Sequence, residues 1–293
     1  MNILLTIYRL KNRYFPNFKL CHLPLVGSFF AKVLHAFRLR QNACGVITKT
    51  GVFVTDNADS LGILRNGDYG EREQKLFQQL ITNGSCILDL GANIGFFSVF
   101  FSKLTGSTGT VHSFEPSPEM YRILQKNISI NGVLNVNSYM IAAGDNNSST
   151  KLFLNESNTG DNRFFSDADS PESVDCKVQK LDDIPSLRES PVDFIKIDIQ
   201  GYEFFALKGM ETILRLNQRV QIFCEFWPYG LESNNTNPED LYNFLISLGF
   251  IIYDFNNECG LKELKTFSDL AYITPESKEF TDLICSRTTL DFN

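Results

Sequence analysis

Between Ser85 and Leu104 the chain passes from a short apolar run, SCILDL, through a glycine-bearing turn, GANIG, into a segment that is apolar nearly all round. The run reads as a strand and the last segment as a helix buried beside a sheet. Similar units follow. Thr110–Glu115 (TVHSFE) is a second strand, and Ser117-Pro118 supplies an N-cap and an N1 proline for a helix to about Asn131. Val136–Ala143 is a third strand. Val192–Asp198 (VDFIKID) and Val220–Phe226 (VQIFCEF) are the fourth and fifth, with a helix from about Tyr202 to Leu216 between them. Pro238–Leu248 is a helix capped by Asn237, and Phe250–Asp254 and Leu270–Ile273 are late strands. Strands alternating with helices in this way specify an α/β fold with a mainly parallel, doubly wound sheet.

Two regions fall outside the alternation. Gly144 to Pro191 is rich in Asn, Ser, Asp and Gly, with strand-like pieces at Lys151–Leu154 and Asp175–Lys180. It reads as an inserted loop or hairpin, a reasonable place for substrate contacts. Residues 1–55 carry eight Lys or Arg and no Asp or Glu, whereas the rest holds 19 basic against 34 acidic residues. Within that basic stretch Val26, Phe29, Phe30, Val33 and Phe37 share one helical face, with Pro24 placed to begin the helix. The expected organisation is a basic N-terminal helical extension (1–55) and a main domain (56–293) with a ligand-binding core at about 81–226. A helix packed on the main domain is the simpler reading of the extension, and peripheral contact with an anionic membrane is its alternative.

A net charge of −7 argues against nucleic acid as a partner. Seven scattered cysteines form no CxxC pair, so no zinc site is expected. Asp198, Glu203 and Glu225 could together hold a divalent metal, but they lack a strong metal-ligand spacing, and no metal site is assigned. Free thiols and the lack of a signal-peptide pattern suggest a cytoplasmic protein.

The chemistry concentrates in the turn Asp89-Leu90-Gly91-Ala92-Asn93-Ile94-Gly95. Ligands of doubly wound sheets bind at the carboxyl ends of the strands. Gly91 and Gly95 omit side chains where a ligand would approach the backbone, and Asp89 can anchor the loop or a ligand amino group. Glu115 closes the second strand, where a carboxylate can accept both hydroxyls of a ribose. The loop reads G-x-x-x-G and not the G-x-G-x-x-G of dinucleotide folds, which disfavours NAD and suits adenosylmethionine.

DLGANIG (89–95), FEPSP (114–118), KLDDI (180–184) and IKIDIQGYEFFALKG (195–209) together resemble the FkbM family of methyltransferases. The resemblance implies a Rossmann-like class I methyltransferase fold, S-adenosylmethionine as methyl donor, and commonly O-methylation of a sugar or polyketide hydroxyl. It places Asp89, Gly91, Asn93 and Glu115 around the cofactor, with Ala142 near the adenine; Ala92 and Gly95 of the same turn are expected beside them. The chain departs from the family pattern at Gln200, where a Glu is common, and at Gly70 after Tyr69.

Methyl transfer to an alcohol asks the protein to align the acceptor, exclude water and take a proton. Asp198 and Glu225 are the candidate base or acceptor-orienting residues. The alternatives are a turn cap for Asp198 and a buried hydrogen-bonded carboxylate for Glu225. Tyr202, Glu203 and Asn162 are candidate acceptor contacts, although Glu203 could equally stabilise its helix N-terminus. The expected activity is O-methylation of a hydroxyl on a small-molecule or glycan acceptor. The rival readings are a nicotinamide-dependent oxidoreductase and a non-catalytic binding protein on the same scaffold.

Overall fold

The computed structural model describes residues 45–155, 157–166, 172–255 and 260–290. The helix expected after Pro24, and with it any membrane contact of the basic stretch, lies outside these residues.

The strands are β1 (Val46–Ile47), β2 (Val52–Phe53), β3 (Cys86–Leu90), β4 (Thr110–Phe114), β5 (Val136–Tyr139), β6 (Ala142–Ala143), β7 (Ser148–Leu154) and β8 (Glu172–Gln179). They continue with β9 (Phe194–Ile197), β10 (Gln221–Phe226), β11 (Ile251–Asp254), β12 (Lys262–Leu264) and β13 (Thr281–Ser286). The helices are α1 (Ile63–Asn66), α2 (Glu71–Leu80), α3 (Phe96–Thr105), α4 (Pro118–Ile130), α5 (Pro185–Arg188), α6 (Glu203–Lys208), α7 (Glu211–Leu216), α8 (Pro228–Ser233) and α9 (Pro238–Ser247).

The main sheet has the order β12-β11-β13-β10-β9-β3-β4-β5. The five strands from β10 to β5 run parallel, and β13 enters antiparallel between β10 and β11. The order reverses at β3, whose neighbours are β4 on one side and β9 on the other, so the carboxyl ends of β3 and β9 form a topological switch point. This is the Rossmann-like α/β architecture of class I methyltransferases.

Two apolar layers hold it. On one face α2 and α3 bring Phe77, Phe96, Phe97 and Phe101 against Phe194 and Phe223 of the sheet, with several edge-to-face ring pairs at 5–6 Å. Each fully buried ring contributes roughly 2–3 kcal/mol of transfer free energy. On the other face Leu207, Ile213, Leu214, Leu241 and Leu245 pack on Ile195, Ile197 and Cys224.

Gly45–Val54, the described end of the basic stretch, is a β-hairpin docked on α4. Asn127 and Asn131 extend the hairpin's hydrogen bonding. Their side-chain oxygens accept the Val54 and Val52 amides, and their side-chain nitrogens donate back to the same residues' carbonyls.

Three expected elements differ. Val136–Ala143 is two strands in two sheets: β5 pairs with β4, whereas β6 pairs with β8 in a small sheet completed by the β7–β8 hairpin. The helix expected over 202–216 breaks at Gly209. Gly144 O lies so near Gly209 that a Cβ there would stand 1.8 Å from it, and Asp182 then caps α7 by accepting the Thr212 and Ile213 amides. Leu270–Ile273 is not a strand. A Thr266–Asp269 capping box winds Phe267–Leu270 into a 3₁₀ turn, and the last strand is β13. Cys86, Cys176, Cys224 and Cys285 are buried free thiols. Among the described residues no helix is long and apolar enough to cross a membrane.

Candidate active site

A cavity of about 640 Å³ opens at the carboxyl ends of β3, β4, β9 and β10, within the range of small-molecule sites. The inserted stretch closes one side of it. Thr159 N donates to Ser60 Oγ at 2.8 Å and Asn93 Nδ2 donates to Thr159 O at 3.3 Å.

The half of the cavity at β3 and β4 is built from main chain. Glu115 Oε2 accepts the Asn93 amide and Oε1 the Ser117 amide, both at 2.8 Å. These bonds fix the carboxylate at the cavity wall and leave lone pairs for a second set of donors. Burial pushes the Glu115 carboxyl up to about 7, against the opposing pull of those two amides. Asn93 takes a left-handed backbone, with φ of +49°. Asp89 is fully buried. Its Oδ2 accepts Ser98 Oγ at 2.6 Å, Ser113 Oγ donates on to Ser98, and its Oδ1 has no hydrogen-bond partner. Burial raises the Asp89 carboxyl. Asn162 and Ala142 also line the cavity.

Packing within the protein also requires the motif's glycines. A Cβ on Gly91 would stand 1.9 Å from the Asp198 carbonyl oxygen, and one on Gly95 would stand 2.4 Å from Leu124 Cδ1. Both absences make room for the protein's own neighbouring segments.

The half at β9, β10 and β13 is built from side chains. Lys196, buried at 3% exposure, lies 3.2 Å from Asp198 Oδ2 and 3.9 Å from Asp89 Oδ1. Burial lowers its pKa, but Asp198 and Asp89 more than offset that, and the net shift is upward. Gln200 Nε2 donates to Asp198 Oδ1 at 3.0 Å and to Glu225 Oε1 and Oε2 at 3.3 and 3.1 Å. Burial, then the charges of Asp198, Glu203 and Asp282, push the Glu225 carboxyl well above its ordinary range. Asp282 is the cross-strand neighbour of Glu225, and burial followed by Asp198 raises it to about 8. Tyr69, Glu73, Trp227, Lys278 and Phe280 complete the wall toward the mouth.

The structure thus brings Asp89, Gly91, Ala92, Asn93, Glu115, Ala142, Asn162, Asp198 and Glu225 to one cavity. Gly95 lies one turn behind it as the helix cap of α3. Two expected acceptor contacts point elsewhere. Glu203 is fully buried behind the wall, where Oε1 accepts the Ile199 and Gly201 amides. Tyr202 packs its ring in tilted contact with Phe164, 4.5 Å away between centroids, and with Phe205, 4.8 Å away. Lys196, Asp282, Glu73 and Trp227 had not been singled out. Lys196 carried a signal, a lone cation inside the otherwise buried strand FIKI.

A family model described as the methyltransferase FkbM domain matches residues 89–252, more than half of the chain. The chain belongs to that family. It is 24% identical over 149 residues to Methyltransferase 1 of Beauveria bassiana (strain ARSEF 2860), covering 43% of this chain and 59% of that protein. It is 25% identical over 160 residues to Methyltransferase sdnD of Sordaria araneosa, covering 43% and 60%. The chain spans about three fifths of the length of these two relatives. Among solved structures, the FkbM methyltransferase of Methylobacillus flagellatus KT is 17% identical with a TM-score of 0.43, covering 79% of this chain and 55% of that one. An adenosylmethionine-dependent methyltransferase from Aquifex aeolicus is 15% identical with a TM-score of 0.41, covering 74% and 90%. The fold assignment rests on the strand order itself.

The β3–β4 half fits adenosylmethionine in its donor chemistry. The fixed Glu115 carboxylate suits a ribose diol, and Asp89 Oδ1, which accepts no hydrogen bond although Lys196 lies 3.9 Å away, suits an ammonium group.

Proposed function

We propose that this methyltransferase uses S-adenosylmethionine to methylate a hydroxyl on a saccharide or similar polar metabolite. The observation that carries the reading is one cavity with two chemically distinct ends. One is a backbone-fixed carboxylate at Glu115; the other is the Asp198–Glu225 carboxylate pair.

The bound cofactor would supply a methyl group activated for transfer to an acceptor oxygen, and its positively charged sulfur would keep the electron pair of the broken S–C bond. Glu115 would hold the ribose hydroxyls, Asp89 would face the amino group, and Ala142 would border the adenine. The acceptor hydroxyl lies against Asp198, whose carboxylate Lys196 and Gln200 keep aligned. The hydroxyl proton passes to the carboxylate pair. Trp227, Phe280, Tyr69 and Phe97 give the acceptor side apolar faces beside its polar groups, a mixture that suits a sugar ring and helps exclude water.

Calorimetric titration with S-adenosylhomocysteine, with NADH as parallel control, tests the cofactor. Micromolar binding of the first alone supports the proposal; NADH binding instead favours an oxidoreductase and overturns it. A screen of polar glycans and their non-sugar analogues, with methyl transfer as readout, then tests the acceptor. Cofactor binding without transfer to any hydroxyl compound supports the non-catalytic reading.

A further inference from the structure

Gln200 has a left-handed backbone, with φ of +56°, which costs a non-glycine residue on the order of 1 kcal/mol. Two features impose it. Glu203 Oε1 accepts the amides on either side, from Ile199 and Gly201, both at 3.1 Å. Gly201 is pressed on α8, where a Cβ would stand 2.3 Å from the Gly230 carbonyl carbon. The loop is therefore fixed from behind, and the Gln200 amide nitrogen reaches Asp198 Oδ1 and both Glu225 oxygens. That nitrogen carries two hydrogens and no charge, so it can donate one to each carboxylate.

We propose that Gln200 is the positioning residue of the acceptor site, its amide clasping Asp198 and Glu225 into a carboxylate pair that receives the acceptor's proton as a unit. The use of the pair rests on the methyl-transfer reading; the clasp itself does not. The two carboxylates are unequal. Asp198 has a second donor in Lys196. Among the described residues Gln200 is the one hydrogen-bond donor to the Glu225 side chain. Glu225 otherwise faces Asp198 on its own side, Glu203 from α6 and Asp282 from β13, with Lys196 the opposing cation. A third carboxylate in place of the amide would add a like charge to this set; the amide binds both acids without one. As the acceptor O–H bond breaks, its proton would form a bond to an oxygen of the pair, while an acceptor lone pair would make the new C–O bond and the donor's S–C bond would break with its electron pair left on sulfur.

The test is titration of the Glu225 side-chain carboxyl carbon by NMR in the full chain labelled at Glu, with the resonance assigned by its loss in Glu225→Gln. Gln200→Leu removes the donor and should raise the Glu225 midpoint by about one pH unit, the worth of one charged hydrogen bond. Gln200→Glu, nearly isosteric, should raise it as well by adding a neighbouring charge, and carries the test if the leucine variant does not fold. A midpoint unmoved in a folded Gln200→Leu protein overturns the clasp. S-adenosylhomocysteine titration on the same samples separates this result from the cofactor reading, since the NMR shift stands whether or not that ligand binds. With an acceptor in hand, the acid limb of kcat/KM should move to higher pH in Gln200→Leu while KM for adenosylmethionine holds. A risen KM with an unmoved pH profile would mark an ordinary loop residue and overturn the proposal.

Discussion

The two ends of the cavity are constructed differently. At the β3–β4 end the chain positions itself: Glu115 is held by two backbone amides within a 25-residue span, and Gly91 and Gly95 let the turn nest between β9 and α4. At the β9–β10 end, side chains position one another: Lys196, Asp198, Gln200, Glu225 and Asp282 come from three strands and one loop, and each depends on the others. A backbone-built site is rigid and tolerates little change. A side-chain-built site can be retuned one residue at a time, which suits the half of a methyltransferase that must fit its particular acceptor.

The largest expected effect falls on the side-chain end. Asp198→Asn keeps the shape and an oxygen for Lys196 but removes the proton acceptor. It should lower turnover about 10²- to 10⁴-fold while leaving S-adenosylhomocysteine affinity nearly unchanged. Transfer rates on the first acceptor found, with calorimetry beside them, check this. Full turnover would remove Asp198 as base and make it a turn cap.

The backbone end should break as a fold before it breaks as a site. Gly91→Ala drives a Cβ into the Asp198 carbonyl at a residue with φ of +77°, and neither backbone segment can yield cheaply. A loss of about 3 kcal/mol of stability is expected in denaturant unfolding. A near-neutral result would mean that β3 and β9 are not packed this closely.

Glu115→Ala probes the same end more gently. Loss of charged hydrogen bonds should weaken S-adenosylhomocysteine binding by about 2 kcal/mol, and the Asn93 and Ser117 amides lose their partner. Unchanged affinity in a folded variant would take Glu115 out of the site.

The difference between the ends also explains what could be read in advance. DLGANIG and the Glu115 position were legible because a contiguous turn and a strand end are local features with a fixed spacing. The doubly wound sheet was legible because strand–turn–helix units repeat. Asp282 was not, because no strand was expected over Thr281–Ser286, and only the antiparallel insertion of β13 sets it beside Glu225. Glu203 and Tyr202 were expected at the acceptor because they follow Asp198 closely. The left-handed turn at Gln200 and Gly201 instead sends Gln200 forward and Glu203 behind the wall. Of this loop it is Asp198, Ile199 and Gln200 that line the cavity, and not Tyr202 or Glu203.

The smallest expected effect tests whether the crowded acids at β10 and β13 strain the fold. Asp282 has its carboxyl raised to about 8 by burial and by Asp198, from an ordinary value near 3.8 in the unfolded chain. A group raised in the folded state contributes stability that is fully present below its unfolded value and is lost as pH rises through its folded value. The wild-type protein should therefore lose stability between about pH 4 and pH 8, with Glu225 pulling the same way. Asp282→Asn removes one titrating carboxyl and should flatten that decline by on the order of 1 kcal/mol after allowance for solvent relaxation. Thermal melts at the two pH values check it. An unaltered slope would show that Asp282 is ionised and well solvated at neutral pH. The acceptor end would then carry one more negative charge against Lys196, and an acceptor with a positively charged group would fit better than a neutral sugar.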